Sequence, residues 1–513
     1  MLTLALIILL TVVAVPALNV STWSSTRLCT LILVSTSALS YTAMVTPALG
    51  PGVYLYGGLL QTTSTSYIVD VLLGLVGATA LTPWAPLAMA RVFNMTTNSV
   101  YLLTPTAVYA PLLILFSVTG SSLLVSSVSL VCLYLSLELQ SFAVYVLAAL
   151  YRDSETATDA GLTYFLLGGL SSCFILLGSG QLYASMGVTS LEDVFGLISV
   201  GQSTSTGVVA FSLTVLAAGL FFKIAAAPFH QWAPAVYDRV PTIITVWLQT
   251  MPKLAVLGLL LELTSGLTLN AESLNVAVLA VGDVSAWSDT LMVVAFLSLV
   301  VGSVLGLAQT RIKRLLTYST ISHVGFMLLA LAAYSGDAVS SFVFYLGQYS
   351  LTSLASLMVL LAFGYMLRGR PSRSMPQQAH TTDVELISEL TGQVQTQPML
   401  ALGMATLLFS MAGVPPFVGF FAKQGVLEAS LAAHYGGLAI VAIVVSVVSA
   451  AYYLRVVRLV HFDTDTVYPV NGSLAATHTF MISLTVLIVA LYMTLPSSFL
   501  DSTRTLALIA YLS

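Results

Sequence analysis

The chain has 513 residues, of which 58% are hydrophobic and only 7% charged. A water-soluble domain carries about 25% charged residues, so a soluble enzyme and a nucleic-acid-binding module are excluded and a polytopic membrane protein is expected. The net charge of −4 says little when most charges sit in loops.

The first stretch, MLTLALIILLTVVAVPAL, has no basic segment ahead of its apolar run, which argues against a cleaved signal peptide. It is not Arg/Ser-rich either, so it reads as the first membrane helix. In lipid the backbone must satisfy its own hydrogen bonds, so the spans are helices, each of about 20 mostly apolar residues. The runs predict fourteen, at 2–18, 28–47, 68–90, 100–119, 122–150, 160–184, 206–235, 241–264, 286–308, 315–334, 339–366, 395–433, 437–455 and 478–497. The last residues, TRTLALIAYLS, are too short to span and are expected at the interface. Cys29, Cys132 and Cys173 each stand alone in apolar runs, with no spacing for a disulfide framework, zinc or an iron–sulfur cluster.

Fourteen spans put Arg27, Arg91, Arg152, Arg239, Arg311, Lys313, Arg314, Arg368, Arg370, Arg373, Arg455 and Arg458 on one side and Arg504 alone on the other. A wrong helix count would scramble this segregation. The basic side faces the cytoplasm, or the matrix in a mitochondrion, and both termini face outward.

Three of the four lysines, Lys223, Lys253 and Lys423, fall inside predicted spans, as does Glu138. A charge at the bilayer centre costs at least about 2.5–3.5 kcal/mol. A lysine near a span end can snorkel to the interface, and a buried Lys–Glu pair can serve packing alone. Four such groups in helices with polar stripes point instead to charges held in interior tracks. Glu138 shares a helix face with Tyr134, Ser141 and Tyr145, and Lys253 follows Gln249 and Thr250. Lys223 with Glu138 would stay protonated until that charge moved or water entered. His323, behind Ser319 and Thr320, suits a proton relay or helix packing. His230 is a possible relay group or a packing residue near the basic surface.

Two spans are too long for one crossing and carry prolines. One holds FFKIAAAPFHQWAP with Pro228; the other holds FSMAGVPPFVGFFAK with Pro415 and Pro416. Proline inside a helix removes a hydrogen bond and clashes with the preceding turn. Such breaks survive at membrane depth only where protein or a water-filled cavity satisfies the backbone, a mark of transporters built from inverted repeats. AAAPFHQW aligns with GVPPFVGF five spans later, so the two cross in opposite directions. Repeats are expected over 100–264 and 286–455, after N-terminal helices within 1–99 and before a final helix at 478–497.

FFKIAAAPFHQWAPAVYDRVPTIITVWLQTMPKLAVL resembles subunit 2 of mitochondrial NADH:ubiquinone oxidoreductase, respiratory complex I (subunit N in bacteria), of the antiporter-like family. LELQSFAVYVLAAL, TDAGLTYFLLGGLSSCFILLGSGQLY and QTRIKRLLTYSTISHVGFMLLAL are similar to it as well. The likeness runs from about residue 122 to 330 and more loosely to about 460. It implies an all-α antiporter-like fold of about fourteen helices in the membrane arm, beside other membrane-arm subunits and lipid. It implies proton translocation through Glu138, Lys223, Lys253 and the exit-side Lys423, with no cofactor in this chain. FMN, iron–sulfur clusters and ubiquinone would belong to partner subunits. The mitochondrial inner membrane is expected, with a bacterial plasma membrane as the alternative. Loop 368–397 departs from the family pattern and is expected to meet other subunits. The rival functions are a cation/proton antiporter of common ancestry and a non-pumping structural subunit.

Overall fold

The computed structural model describes residues 2–14, 22–45, 52–83, 106–151, 154–200, 206–273, 281–366, 383–463, 474–494, 501 and 503–505. In chain order the helices are α1 (Leu2–Ala14), α2 (Thr22–Val45), α3 (Ser64–Leu81), α4 (Thr106–Val125), α5 (Leu130–Ala148) and α6 (Glu155–Met186). Then come α7 (Leu191–Val200), α8 (Thr206–Ile224), α9 (Trp232–Arg239), α10 (Thr242–Ser273), α11 (Val281–Leu307), α12 (Ile312–Ala333) and α13 (Gly336–Met366). The last are α14 (Gln393–Thr396), α15 (Pro398–Ala412), α16 (Val418–Ala432), α17 (Gly436–His461) and α18 (Ala476–Leu491).

Among the described residues, eleven helices are long and apolar enough to cross a membrane. Leu2–Thr11, Tyr109–Val125 and Pro398–Ala412 are shorter apolar helices. The ends expected at 84–90, 100–105 and 495–497 lie outside the described residues, as do Arg91, Arg152, Arg368, Arg370 and Arg373. The helix expected at 160–184 begins earlier, at Glu155, because Ser154 caps it by accepting from the Ala157 N–H.

Burial sorts the helices. The apolar windows of α10 and α12 are 94% buried, against 17% for α2 and 28% for α18. The two inner helices carry Lys253 and His323, so those groups sit inside protein and the outer helices meet the apolar surroundings. α11 packs along α12, α6 along α8, and α4 along α5.

Two features were not expected. A hairpin of β1 (Val53–Leu55) and β2 (Leu60–Thr62) precedes α3. The short α7 follows α6, and the Tyr54 hydroxyl donates to Glu192 on it at 2.6 Å. That hydrogen bond, with partial burial, pushes Tyr54 up to about 12.

Candidate functional site

Both proline-bearing spans are broken. α8 stops at Ile224, residues 225–231 form turns, and α9 restarts at Trp232. The freed backbone is satisfied by protein. The Trp232 indole donates to the Phe222 carbonyl at 3.0 Å, and the Ala227 N–H donates to Ser298 Oγ at 2.9 Å. Trp232 is fixed by stacking on Tyr164 at 4.8 Å.

Lys223 lies in the last turn of α8, where a cation favours the negative end of the helix. Its ammonium donates to Ser141 Oγ at 2.8 Å, Tyr145 OH at 3.0 Å and Ser172 Oγ at 3.4 Å. Ser141 and Tyr145 belong to the α5 face read from sequence with Glu138. Glu138 makes no ion pair with Lys223 within 4 Å among the described residues; three hydroxyls receive the ammonium instead. Glu138 is half-buried in α5, one turn before Ser141.

Lys253 is fully buried in α10 beside Pro252, which lies inside that helix. Pro252 has no N–H for the Leu248 carbonyl, and the Tyr237 hydroxyl takes that acceptor at 3.1 Å. The Tyr237 ring then lies 5.7 Å from the Lys253 ammonium, a cation–π distance. Lys253 donates to Thr320 Oγ1 on α12 at 2.9 Å. One turn on, His323 Nδ1 lies 2.8 Å from Tyr345 OH, and Nε2 lies 3.4 Å from Tyr453 OH. Each ring nitrogen therefore faces a hydroxyl that can give or take a hydrogen bond.

The second break runs from Gly413 to Phe417, between α15 and α16. Here the lysine follows the break and reaches back across it. Lys423 donates to the carbonyls of Met411 at 2.9 Å and Ala412 at 2.8 Å, two open acceptors of the last α15 turn. A side chain at Gly419 would run into the Ser410 carbonyl, so only glycine lets the two half-helices cross. The Lys423 ammonium is 5.5 Å from the Phe326 ring, one turn past His323. Thr320, His323 and Phe326 thus form one α12 stripe, touched by Lys253 at one end and Lys423 at the other.

His230 is buried 6.3 Å from the Tyr318 ring, and its Nδ1 has no partner among the described residues. It hydrogen-bonds to none of the three intramembrane lysines among the described contacts. Pro228 is exposed, and the peptide bonds before Pro228 and Pro416 are cis.

Sequence reading passed over three groups. Glu262 in α10 accepts from Thr63 Oγ1 at 2.6 Å, and Asp70 lies within α3. Each is the lone carboxylate of its predicted span and lies near that span's end. Lys313 was counted as a loop charge, yet it is 3% exposed, donating to Asp383 at 2.6 Å and the Val240 carbonyl at 2.9 Å. Nearby, Asp238 receives Arg311 and Arg314, each at 2.9 Å, and Asp159 pairs with Arg239.

The family described as NADH:quinone oxidoreductase/Mrp antiporter, TM, matches residues 127–450. NADH-ubiquinone oxidoreductase chain 2 of Rhizopus oryzae is 47% identical over 445 residues, covering 85% of this chain and 81% of that protein. NADH-quinone oxidoreductase subunit N 1 of Acidiphilium cryptum is 37% identical over 416 residues, covering 80% of this chain and 78% of that protein. A chain of respiratory complex I from Thermus thermophilus with bound Aureothin superposes with a TM-score of 0.73 at 26% identity, covering 98% of this chain and 99% of that one. The Mrp complex from Dietzia sp. shares the fold, with a TM-score of 0.77 at 16% identity over 99% of this chain and 96% of that one. With its matched segment spanning both broken helices and all three intramembrane lysines, the chain belongs to the antiporter-like family of NADH:quinone oxidoreductase and Mrp membrane subunits.

Proposed function

We propose that the chain is a proton-translocating membrane-arm subunit of an NADH:ubiquinone oxidoreductase, standing beside other membrane subunits in the mitochondrial inner membrane with its basic loops toward the matrix. Redox chemistry belongs to partner subunits holding FMN, iron–sulfur clusters and ubiquinone. The repeats at 100–264 and 286–455 would hold ten of fourteen crossings, five each. The observation that carries the reading is the Lys253–Thr320 hydrogen bond one turn before His323, with Lys423 meeting the same α12 stripe through Phe326. A lysine or neutral histidine can hold a proton and release it when its surroundings change. Glu138, acting on Lys223 without a direct bond, is the charge whose movement would release the first proton. The route then runs Lys223, Lys253, His323, Lys423. Each proton moved against 100 mV requires about 2.3 kcal/mol.

The test is proton pumping per NADH oxidised in reconstituted complex carrying Lys223→Ala, with assembly measured alongside. An assembled complex whose turnover and pumping fall together supports the reading. Normal turnover and stoichiometry would sink it.

A further inference from the structure

The start of α10 is held by a distant part of the chain. Pro241, the residue before it, has no side-chain oxygen to cap the open N–H groups of the first turn. The cap comes from Asp383, whose Oδ2 accepts from the Thr242 N–H at 2.7 Å. The same oxygen accepts from the Lys313 ammonium at 2.6 Å, and that ammonium also donates to the Val240 carbonyl at 2.9 Å. Lys313 lies in the first turn of α12. One ion pair thus grips the Val240–Pro241–Thr242 corner from both sides. The Lys313 side chain is 3% exposed and that of Asp383 12%, so little water competes for them. Asp383 is itself fixed. The Ile312 N–H donates to the Glu385 carbonyl at 3.0 Å, and the Ile387 N–H to the Thr310 carbonyl at 3.1 Å. Val384, Ile387 and Leu390 are buried beside it.

α10 and α12 meet at few points along their length. They are joined where Lys253 donates to Thr320 at 2.9 Å, about three turns into α10 and about two turns past Lys313. With so little packing between them, ridges and grooves do not set how far one helix slides along the other. We propose that Asp383 is a positioning residue: by clamping the start of α10 to the start of α12, it sets the register in which the Lys253 ammonium meets Thr320. The inference rests on the reading of Lys253 as a proton carrier that hands on to the α12 stripe. A slide of one residue moves a helix by about 1.5 Å, enough to break that hydrogen bond. Asp383 takes no proton from the route and touches none of its groups. Asp238, through Arg311 and Arg314, ties α9 to the same end of α12, so the fold survives the loss of Asp383 while the register does not.

Two measurements on the whole complex test this. In a density map of assembled complex carrying Asp383→Ala, the Lys253 Nζ to Thr320 Oγ1 separation should exceed about 3.5 Å; a bond kept at 2.9 Å overturns the proposal. Asp383→Asn, which leaves an oxygen for both donors, should keep the bond. Its loss there too would trace the effect to the unpaired Lys313 charge and overturn the register role. In kinetics, Asp383→Ala should slow NADH-linked pumping about tenfold, the fold-change of one hydrogen bond to a charged group near its lower figure. In a Thr320→Val background, where the positioned bond is already gone, Asp383→Ala should cost nothing more. Additive losses would mean that Asp383 serves stability alone and would overturn the proposal. If Asp383→Ala does not assemble, Asp383→Ala with Lys313→Met carries both measurements, because it removes the clamp without leaving a buried charge unpaired. Wild-type pumping in Lys253→Ala would instead overturn the carrier reading, while the map alone decides the register, so the two failures are told apart.

Discussion

Lys423 has two attachments that substitution can separate. Its ammonium closes the end of α15 by donating to Met411 and Ala412, and the proposed function also has it release a proton. Hydrogen bonds to charged groups contribute about 1.5–3 kcal/mol each. Lys423→Met should therefore lower the thermal inactivation midpoint of the complex and abolish pumping together. Lys423→Arg keeps donors and charge but does not deprotonate in proteins, so stability should be largely kept while protons per NADH fall. Equal loss of stability in both variants would argue against the carbonyl bonds. At this scale the lysines, Glu138 and His323 were legible because a charge in an apolar run is costly and so stands out. Their partners were not. Thr320 lies 67 residues from Lys253 in sequence, and Met411 offers only a backbone carbonyl, which any residue type would provide.

The two broken spans were legible as elements, since Pro228, Pro415 and Pro416 interrupt runs too long for one crossing. Pro252 was not, because it falls inside a span of ordinary length, and the helix continues through it. Only the Tyr237 hydroxyl on the Leu248 carbonyl marks the interruption. The crossing of α15 and α16 depends on Gly419, whose substitution to alanine would drive a methyl group into the Ser410 carbonyl. Gly419→Ala should sharply reduce assembled complex on a native gel. Normal assembly would mean that the half-helices can part without loss. Helix ends were less legible than helix cores, because caps such as Ser154 are single polar residues in polar loops.

Across the whole molecule the charged groups gather at the basic end. Asp238, with its side chain 1% exposed, receives Arg311 and Arg314, while Asp383 joins Lys313 to the first N–H of α10. These contacts tie the corner after the first break to the start of α12 and to the segment before α15. Removing one partner of a buried pair costs about 3–5 kcal/mol, and the half-exposed arginines place Asp238→Ala near the lower figure. Assembled complex carrying it should inactivate at lower temperature than wild type; an unchanged midpoint would show the corner to be held by packing alone. The orientation drawn from the basic residues has its own check. Tyr56, 79% exposed at the hairpin, and Arg458, with its side chain 76% exposed, are predicted on opposite sides. In sealed vesicles an impermeant maleimide should reach Tyr56→Cys from one side and Arg458→Cys from the other. Labelling of both from one side would overturn the topology. This segregation was legible because basic residues distribute by side. The tethering of Lys313 was not, since nothing local distinguishes a buried lysine at a helix start from a solvated one.

The closeness of α4 and α5 at Gly120 and Gln140 also bears on the subunit at rest. A Cβ on Gly120 would lie 2.6 Å from the Gln140 backbone nitrogen, and where two helix backbones touch in this way, no file of water passes between them. The packed interior then serves as electrical insulation. A proton leaking through it would dissipate about 2.3 kcal/mol per 100 mV as heat, so the tight fit limits idle current in the membrane as well as shaping a fold.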